Sequence, residues 1–358
     1  MRSITLLIGL VAIGNIACKK SNTPTELKTA ILTPKSGTQS VPLNDYSLVW
    51  QDDFNGTVLD PRWDYRAANT TRTYALILKS NVSLTGNGVL QLAARRVGDS
   101  SFTASQLATD QNFLQKYGYF ECRAQLDTTE GPHSGFWLQS PTMGATLNPG
   151  VDGTEIDIME HHDAGGIRNR IYHTIHWNGY GANHQSSGTN ETIPGIESGY
   201  HTFGLEWTPS QYIFYVDGVV KRTVTQSTAP ISHRSEFVLL SMEITGFGGN
   251  RFAGIYPDFI NFDYVKVYKP IKTFVYGDKN FSGSSARLGV GNYTMAQLTA
   301  LGISNDTLSS ISVPDGYKAI LYADDNFQGN NITVTGESND LSSLNFNDNV
   351  SSIKIIAN

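Results

Sequence analysis

The chain has 358 residues, which suits two domains, or one large domain with an appendage, and excludes a lone small domain. Charged residues make up only 16%, beside 11% aromatics and 34 glycines, a balance that favours strands and turns over long charged helices. The formal net charge of −6 gives no electrostatic footing for nucleic acid or an anionic membrane surface, and two cysteines, Cys18 and Cys122, exclude a disulfide framework or a cysteine-based zinc site.

The first residues read as an export signal. Arg2 supplies a positive start, and the apolar stretch 4–13 is too short to span a bilayer. The following Asn15-Ile16-Ala17-Cys18 resembles the lipobox of bacterial lipoproteins, which implies cleavage after residue 17 and lipidation of Cys18; plain secretion is the alternative. The expectation is an exported envelope lipoprotein at the outer membrane, or otherwise a secreted protein. Residues 18–43 turn to Lys, Ser, Thr, Pro and Gly without a sustained apolar period and read as a flexible tether.

From 44 to 270, short apolar or alternating runs recur between turn signals, at 47–50, 89–93, 117–126, 155–160, 172–177, 202–207, 212–216, 237–242 and 262–268. Asp217-Gly218 suits a tight hairpin turn. No strand alternates with a convincing helix, so the expectation is an all-β fold built on a large β-sandwich, with Cys122 a small buried residue of a core strand.

Residues 271–358 carry an internal repeat. Phe274, Tyr276, Phe281 and Gly283 recur 46 residues on as Ile320, Tyr322, Phe327 and Gly329, and Asn305-Asp306-Thr307-Leu308-Ser309-Ser310 recurs 42 residues on as Asn347-Asp348-Asn349-Val350-Ser351-Ser352. The pair resembles a microbial βγ-crystallin domain, two Greek keys whose loops bind calcium. The resemblance implies Ca²⁺ ligands at Asp306, Thr307 and Ser309 in one loop and Asp348, Asn349 and Ser351 in the other. A carboxylate, a main-chain carbonyl and a hydroxyl within five residues are hard oxygen donors of the kind Ca²⁺ takes.

The densest acidic signal is Glu155-Ile156-Asp157-Ile158-Met159-Glu160. Alternation puts Glu155 and Asp157 on one strand face; Glu160 joins them only if a one-residue β-bulge falls near Ile158 or Met159. Three acids on one cleft floor repel one another, so at least one keeps its proton near neutral pH while another stays ionised, the requirement for glycoside hydrolysis.

This motif resembles the bulged active-site signature of glycoside hydrolase family 16. The likeness extends to Leu48-Val49-Trp50, Asp53-Phe54, Tyr117-Gly118-Tyr119-Phe120, Gly135-Phe136-Trp137, His201-Thr202-Phe203-Gly204-Leu205-Glu206-Trp207 and Asp263-Tyr264. It implies a concanavalin-like jelly-roll sandwich over 44–270 and a retaining mechanism. Glu155 would be the nucleophile, Asp157 its ionisation-tuning neighbour and Glu160 the general acid/base. Trp137 would be a sugar platform, His176 would lie near the acid/base, and Trp177, Tyr180, Glu206 and Trp207 would extend the sugar-binding wall, with a structural role for Glu206-Trp207 the alternative. The resemblance also implies a structural calcium held by Asp53, the Gly88 carbonyl and Asp263. A metal reading of His161-His162-Asp163 is weak, because consecutive strand residues splay apart.

The implied partner is a neutral polysaccharide, most simply β-1,3- or mixed-linkage β-1,3-1,4-glucan cut internally by a monomer. Red-algal galactans are the alternative substrates, although the net charge does not favour a sulfated one. A non-catalytic carbohydrate-binding or calcium-binding surface protein is the alternative of another class.

Overall fold

The computed structural model describes residues 41–358; the signal, Cys18 and most of the tether lie outside the described residues. The all-β expectation holds, because 25 of the described elements are strands and the helical ones span at most six residues each.

Two antiparallel layers form the sandwich. In the cleft layer, strands Gln185–Thr192, Arg170–Trp177, Glu155–His161, Pro132–Gln139, Phe237–Ile244 and Phe102–Ala108 follow one another in that order. In the outer layer the order is Val219–Thr225, Gln211–Val216, His201–Trp207, Gly118–Gln125 and the long strand Asp258–Pro270. That long strand pairs with Tyr46–Asp52 at one end and with Leu90–Arg96 at the other.

Period-two patterning explains the layering. Phe136, Leu138, Ile156, Ile171, Ile175, Val238 and Leu240 pack with Phe120, Cys122, Phe203, Leu205, Phe214, Val265 and Val267 in one apolar core. Burial of this kind stabilises by about 25 cal/mol per Å² of apolar surface removed from water.

A second core, from Val275 to Ile355, belongs to the C-terminal repeat. Its two four-stranded sheets exchange strands: Gly291–Tyr293 from the first half joins the second sheet, and Glu337–Ser338 from the second half joins the first. The repeat is also structural. Ser310 Oγ accepts the Phe281 N–H at 3.0 Å and donates to the Asp278 carbonyl, and Ser352 Oγ does the same for Phe327 at 2.9 Å and Asp324. Each pair pins a corner whose aromatic has positive φ, 57° at Phe281 and 62° at Phe327, a conformation that needs such support in a bulky residue.

The repeat is docked on the outer layer through polar contacts. Arg287 Nη1 lies 2.7 Å from Glu206 and 3.0 Å from Asp45, and Lys116 pairs with Glu337 at 2.8 Å.

Candidate active site

A cleft of about 710 Å³ opens on the solvent-facing side of the cleft layer, and Glu155, Asp157 and Glu160 all line it. The bulge that this requires is present. Against Arg170–Trp177 the register jumps between Asp157, opposite Thr174, and Glu160, opposite Tyr172; against Pro132–Gln139 it jumps between Asp157 and Met159. Ile158 and Met159 are therefore both swallowed by the core, and Glu160 returns to the acidic face. His173 stabilises the irregularity: its Nδ1–H donates to the Ile158 carbonyl at 2.7 Å, a polar atom that would otherwise be buried at the bulge. Burial pushes the His173 pKa down to about 4, so it is a neutral structural group.

Each acid has its own surroundings. Glu155 Oε2 accepts from Gln139 Nε2 at 2.8 Å and from the Tyr180 hydroxyl, and Arg66 Nη2 in turn donates to Gln139 at 2.7 Å. Glu160 Oε1 meets His133 Nε2 at 2.9 Å, and Oε2 accepts from Thr174 Oγ1 at 3.3 Å. Asp157 lies beside His176, with Nε2 3.2 Å from Oδ2.

Burial pushes Glu155 up to about 7, the negative Glu160 adding to the rise while the Tyr180 hydrogen bond opposes it. Asp157, between the other two carboxyls, is pushed well above the usual range, first by burial and then by Glu160 and Glu155. Asp157 is thus the natural keeper of a proton.

Trp137 lines the cleft as expected, but the Arg66 guanidinium covers its ring at 4.8 Å and its Nε1–H is held by Ser241 at 3.0 Å. His176 also lines the cleft. Three expected sugar contacts do not. Trp177 falls on the other face of its strand, because Tyr172, Thr174 and His176 take the cleft side, and it packs against the core. Trp207 is fully buried, its Nε1–H bonded to the Ser232 carbonyl, and Glu206 is fully buried in the outer layer among Tyr46, Tyr215 and Arg287.

The cleft also recruits residues whose roles sequence reading missed. His133, Glu243, Thr245, Phe247 and Arg66 all line it, beside Arg72, a basic residue the sequence already offered for a cleft, whose Nε lies 3.4 Å from Glu243. For His133 and Glu243 the signal is a shared strand register: the two pair across neighbouring strands.

The metal expectations fare unevenly. Gly88 has φ +74° and sits against Asn55 Oδ1 and the Asp53 carbonyl, a cradle that a Cβ would fill. The two carboxylates assigned to that calcium are engaged elsewhere, however: Asp53 accepts from Gln51 at 3.0 Å and Asp263 pairs with Arg123 at 2.5 Å. That donor set fits a calcium only in part. His161 holds its ring nitrogens 2.9 Å from the Arg170 carbonyl and 3.1 Å from the Asp127 carbonyl, so it has no nitrogen free for a metal beside Asp163.

In the C-terminal loops the donors combine across the repeat rather than within one loop. Ser309 Oγ donates to Asp348 at 3.1 Å, and Ser351 Oγ donates to Asp306 at 3.4 Å. Asn305 and Asn347 each hold the other oxygen of the adjacent aspartate at 2.6 Å. Thr307 Oγ1 instead donates to the Ser304 carbonyl, and Asn349 is exposed. Carboxylate and hydroxyl oxygens converging twice are a donor set that fits Ca²⁺.

Residues 69–246 match the description Glycosyl hydrolases family 16. The chain carries a family 16 glycosyl hydrolase domain. Beta-glucanase of Rhodothermus marinus is 28% identical over 251 residues, covering 63% of this chain and 85% of that protein. The laminarinase from Flavobacterium sp. UMI-01 superposes with a TM-score of 0.53 at 26% identity, over 62% of this chain and all of that one. A separate match, 49% identical over 83 residues, is to Development-specific protein S of Myxococcus xanthus, of which this chain spans 47%. The family 16 domain accounts for the cleft and its three acids, and the 83-residue match is close in length to the C-terminal repeat.

Proposed function

We propose that the family 16 domain is a retaining, endo-acting β-glycoside hydrolase that cleaves β-1,3- or mixed-linkage β-1,3-1,4-glucan by double displacement. One observation carries this reading: the bulge returns Glu160 to the face of Glu155 and Asp157. Tyr180 and Gln139 both occupy Oε2 of Glu155, which leaves Oε1 to attack the anomeric carbon. As the glycosidic bond breaks, its electron pair leaves with the oxygen and Glu160 protonates it. Water then attacks the glycosyl–Glu155 ester while Glu160 takes the water's proton. Retention requires the two carboxyl groups to work about 5–5.5 Å apart. The glucan assignment is supported by the names of the beta-glucanase and the laminarinase, and by a chain with only 16% charged residues.

The test is reducing-sugar release from laminarin, barley mixed-linkage glucan, agarose and carrageenan by wild type and Glu155→Gln. Release from the two glucans by wild type alone is expected. If no polymer is cut, or if the variant cuts as fast, the reading fails.

We further propose that the C-terminal repeat is a βγ-crystallin-like Ca²⁺-binding domain, with Asp306 and Ser351 at one site and Asp348 and Ser309 at the other. The 83-residue match to Development-specific protein S supports it. Attachment through a lipid on Cys18 completes the proposal: a monomer held at the outer membrane and acting on extracellular polysaccharide. Loss of palmitate labelling in Cys18→Ser is the expected result, and labelling that persists would refute the anchor.

A further inference from the structure

The mechanism leaves unexplained how Glu160 comes by its proton. Burial pushes its carboxyl up, but the hydrogen bond and charge of His133 outweigh burial and hold it below the usual range. An acid that is ionised at rest needs a nearby proton source.

His133 has the geometry of one. Its side chain is only 13% exposed, with Nε2 2.9 Å from Glu160 Oε1 and Nδ1 3.2 Å from Thr245 Oγ1. Thr245 Oγ1 already accepts the Phe247 N–H at 3.2 Å, and its second lone pair suits the Nδ1–H of His133. With Nδ1–H held there, Nε2 is the nitrogen that gains or loses a proton. The charged and titratable groups facing His133 are Glu160 on one neighbouring strand, Glu243 on the other, Asp127 behind it and the His162 ring edge-on at 5.6 Å. Those facing Glu160, besides His133, are Asp157, Glu155 and His176. Burial works against a charge on His133, but Glu160 first, then Glu243 and Asp127, outweigh it and hold its pKa above the ordinary value.

We propose that His133 stores the proton used by Glu160, and that filling the cleft with a sugar moves it along the Nε2–Oε1 line onto the carboxyl. The inference rests on Glu160 being the acid/base. The N–H bond breaks as the O–H bond forms, and the electron pair stays on Nε2. Glu160 passes that proton to the departing glycosidic oxygen, and the water that cleaves the ester returns one. The direction follows from desolvation. A wet cleft tolerates the imidazolium–carboxylate pair, whereas a sugar that expels water penalises both charges and favours the neutral pair. His133 is therefore a positioning residue that arms the acid when substrate arrives.

The test is His133→Gln in the full chain, since the Gln amide still donates a hydrogen bond but has no proton to transfer. Expected on laminarin is a fall in kcat/KM of about 30- to 100-fold at pH 7, with the alkaline limb of its pH profile moved to lower pH. On a 2,4-dinitrophenyl β-laminarioside, whose leaving group departs without protonation, kcat/KM stays within about 3-fold of wild type. Equal losses on both substrates, or an unmoved pH profile, overturn the proposal. Thr245→Val, which frees Nδ1, gives the same signs with smaller size and decides the matter if the first variant does not fold; an unmoved limb there also overturns it. Should Glu160→Gln cut laminarin as fast as wild type, the acid/base assignment itself fails, a result distinct from these.

Discussion

Buried carboxylates on the two faces of the sandwich are treated in opposite ways. Glu206, fully buried in the outer layer, accepts from Tyr46 at 2.7 Å and Tyr215 at 3.3 Å and is paired with Arg287 at 2.7 Å. Glu155 and Asp157 meet only neutral donors, His176 and neighbouring carboxyls, whereas Glu160, at the edge of the trio, is paired with His133. Taking a carboxylate out of water costs several kcal/mol unless a partner offsets it. The outer layer offsets that cost with a guanidinium from the C-terminal repeat. The cleft leaves it standing, as the rise of Glu155 to about 7 records. Glu206, Glu155 and Asp157 are all buried; charge compensation separates the carboxylate that holds the protein together from the two whose proton affinity is raised for chemistry.

The sharpest way to break the comparison is Glu155→Gln. Activity on glucan falls by at least about 10³-fold, the scale expected when a residue at the reacting centre is lost, while the fold becomes more stable. The sign follows from linkage. Between about pH 4.5 and 7, folded Glu155 holds a proton that the unfolded chain has released, so wild-type stability falls as pH rises across that window. The variant has no such loss. Its advantage in unfolding free energy grows across the window, levels off above about pH 7, and is on the order of 2 kcal/mol, read by denaturant unfolding. A variant no more stable than wild type at pH 7 would show that burying Glu155, beside Glu160, carries no stored cost.

Arg287→Ala is the mirror experiment. It strands Glu206 as a buried, unpaired charge and lowers stability by about 3 kcal/mol, read by denaturant unfolding, with kcat on glucan unchanged at low temperature. Glu206→Gln combined with Arg287→Met recovers most of the loss, because Tyr46 and Tyr215 still find an acceptor. If Arg287→Ala melts like wild type, the outer-layer pair is not what anchors the repeat.

The contrast also marks what was legible in the sequence. Strands with strict alternation, and Glu155 with Asp157 on one face, follow from the period of two, and a bulge near Ile158 or Met159 was the stated condition for Glu160 to join them. The sugar wall was misjudged where that same period was not carried through: once His176 faces the cleft, Trp177 cannot. Glu206 looked like a site residue because its partner, Arg287, lies 81 residues further along and in the other core. His133 escaped notice because its meaning comes from Glu160 and Glu243, met through strand pairing. Local spacing likewise suggested donors from a single loop, whereas Ser309 reaches Asp348 and Ser351 reaches Asp306.

Those aspartates are a third case, and the mildest. Asp306 and Asp348 are exposed, so their charge costs little as it stands, and a cation adds stability only by binding the native repeat. At a free Ca²⁺ concentration 100-fold above the dissociation constant the gain is about 2.7 kcal/mol. Because the repeat carries Arg287, the gain reaches the sandwich as well: Ca²⁺ raises the temperature at which hydrolysis of laminarin is lost, by a few degrees. Asp306→Asn with Asp348→Asn removes the increase. Arg287→Ala keeps the rise in the melting of the repeat but loses the rise in the inactivation temperature, since the two cores then part before either unfolds. Equal protection of activity by Ca²⁺ in Arg287→Ala and wild type would mean that the coupling runs through Lys116–Glu337 instead.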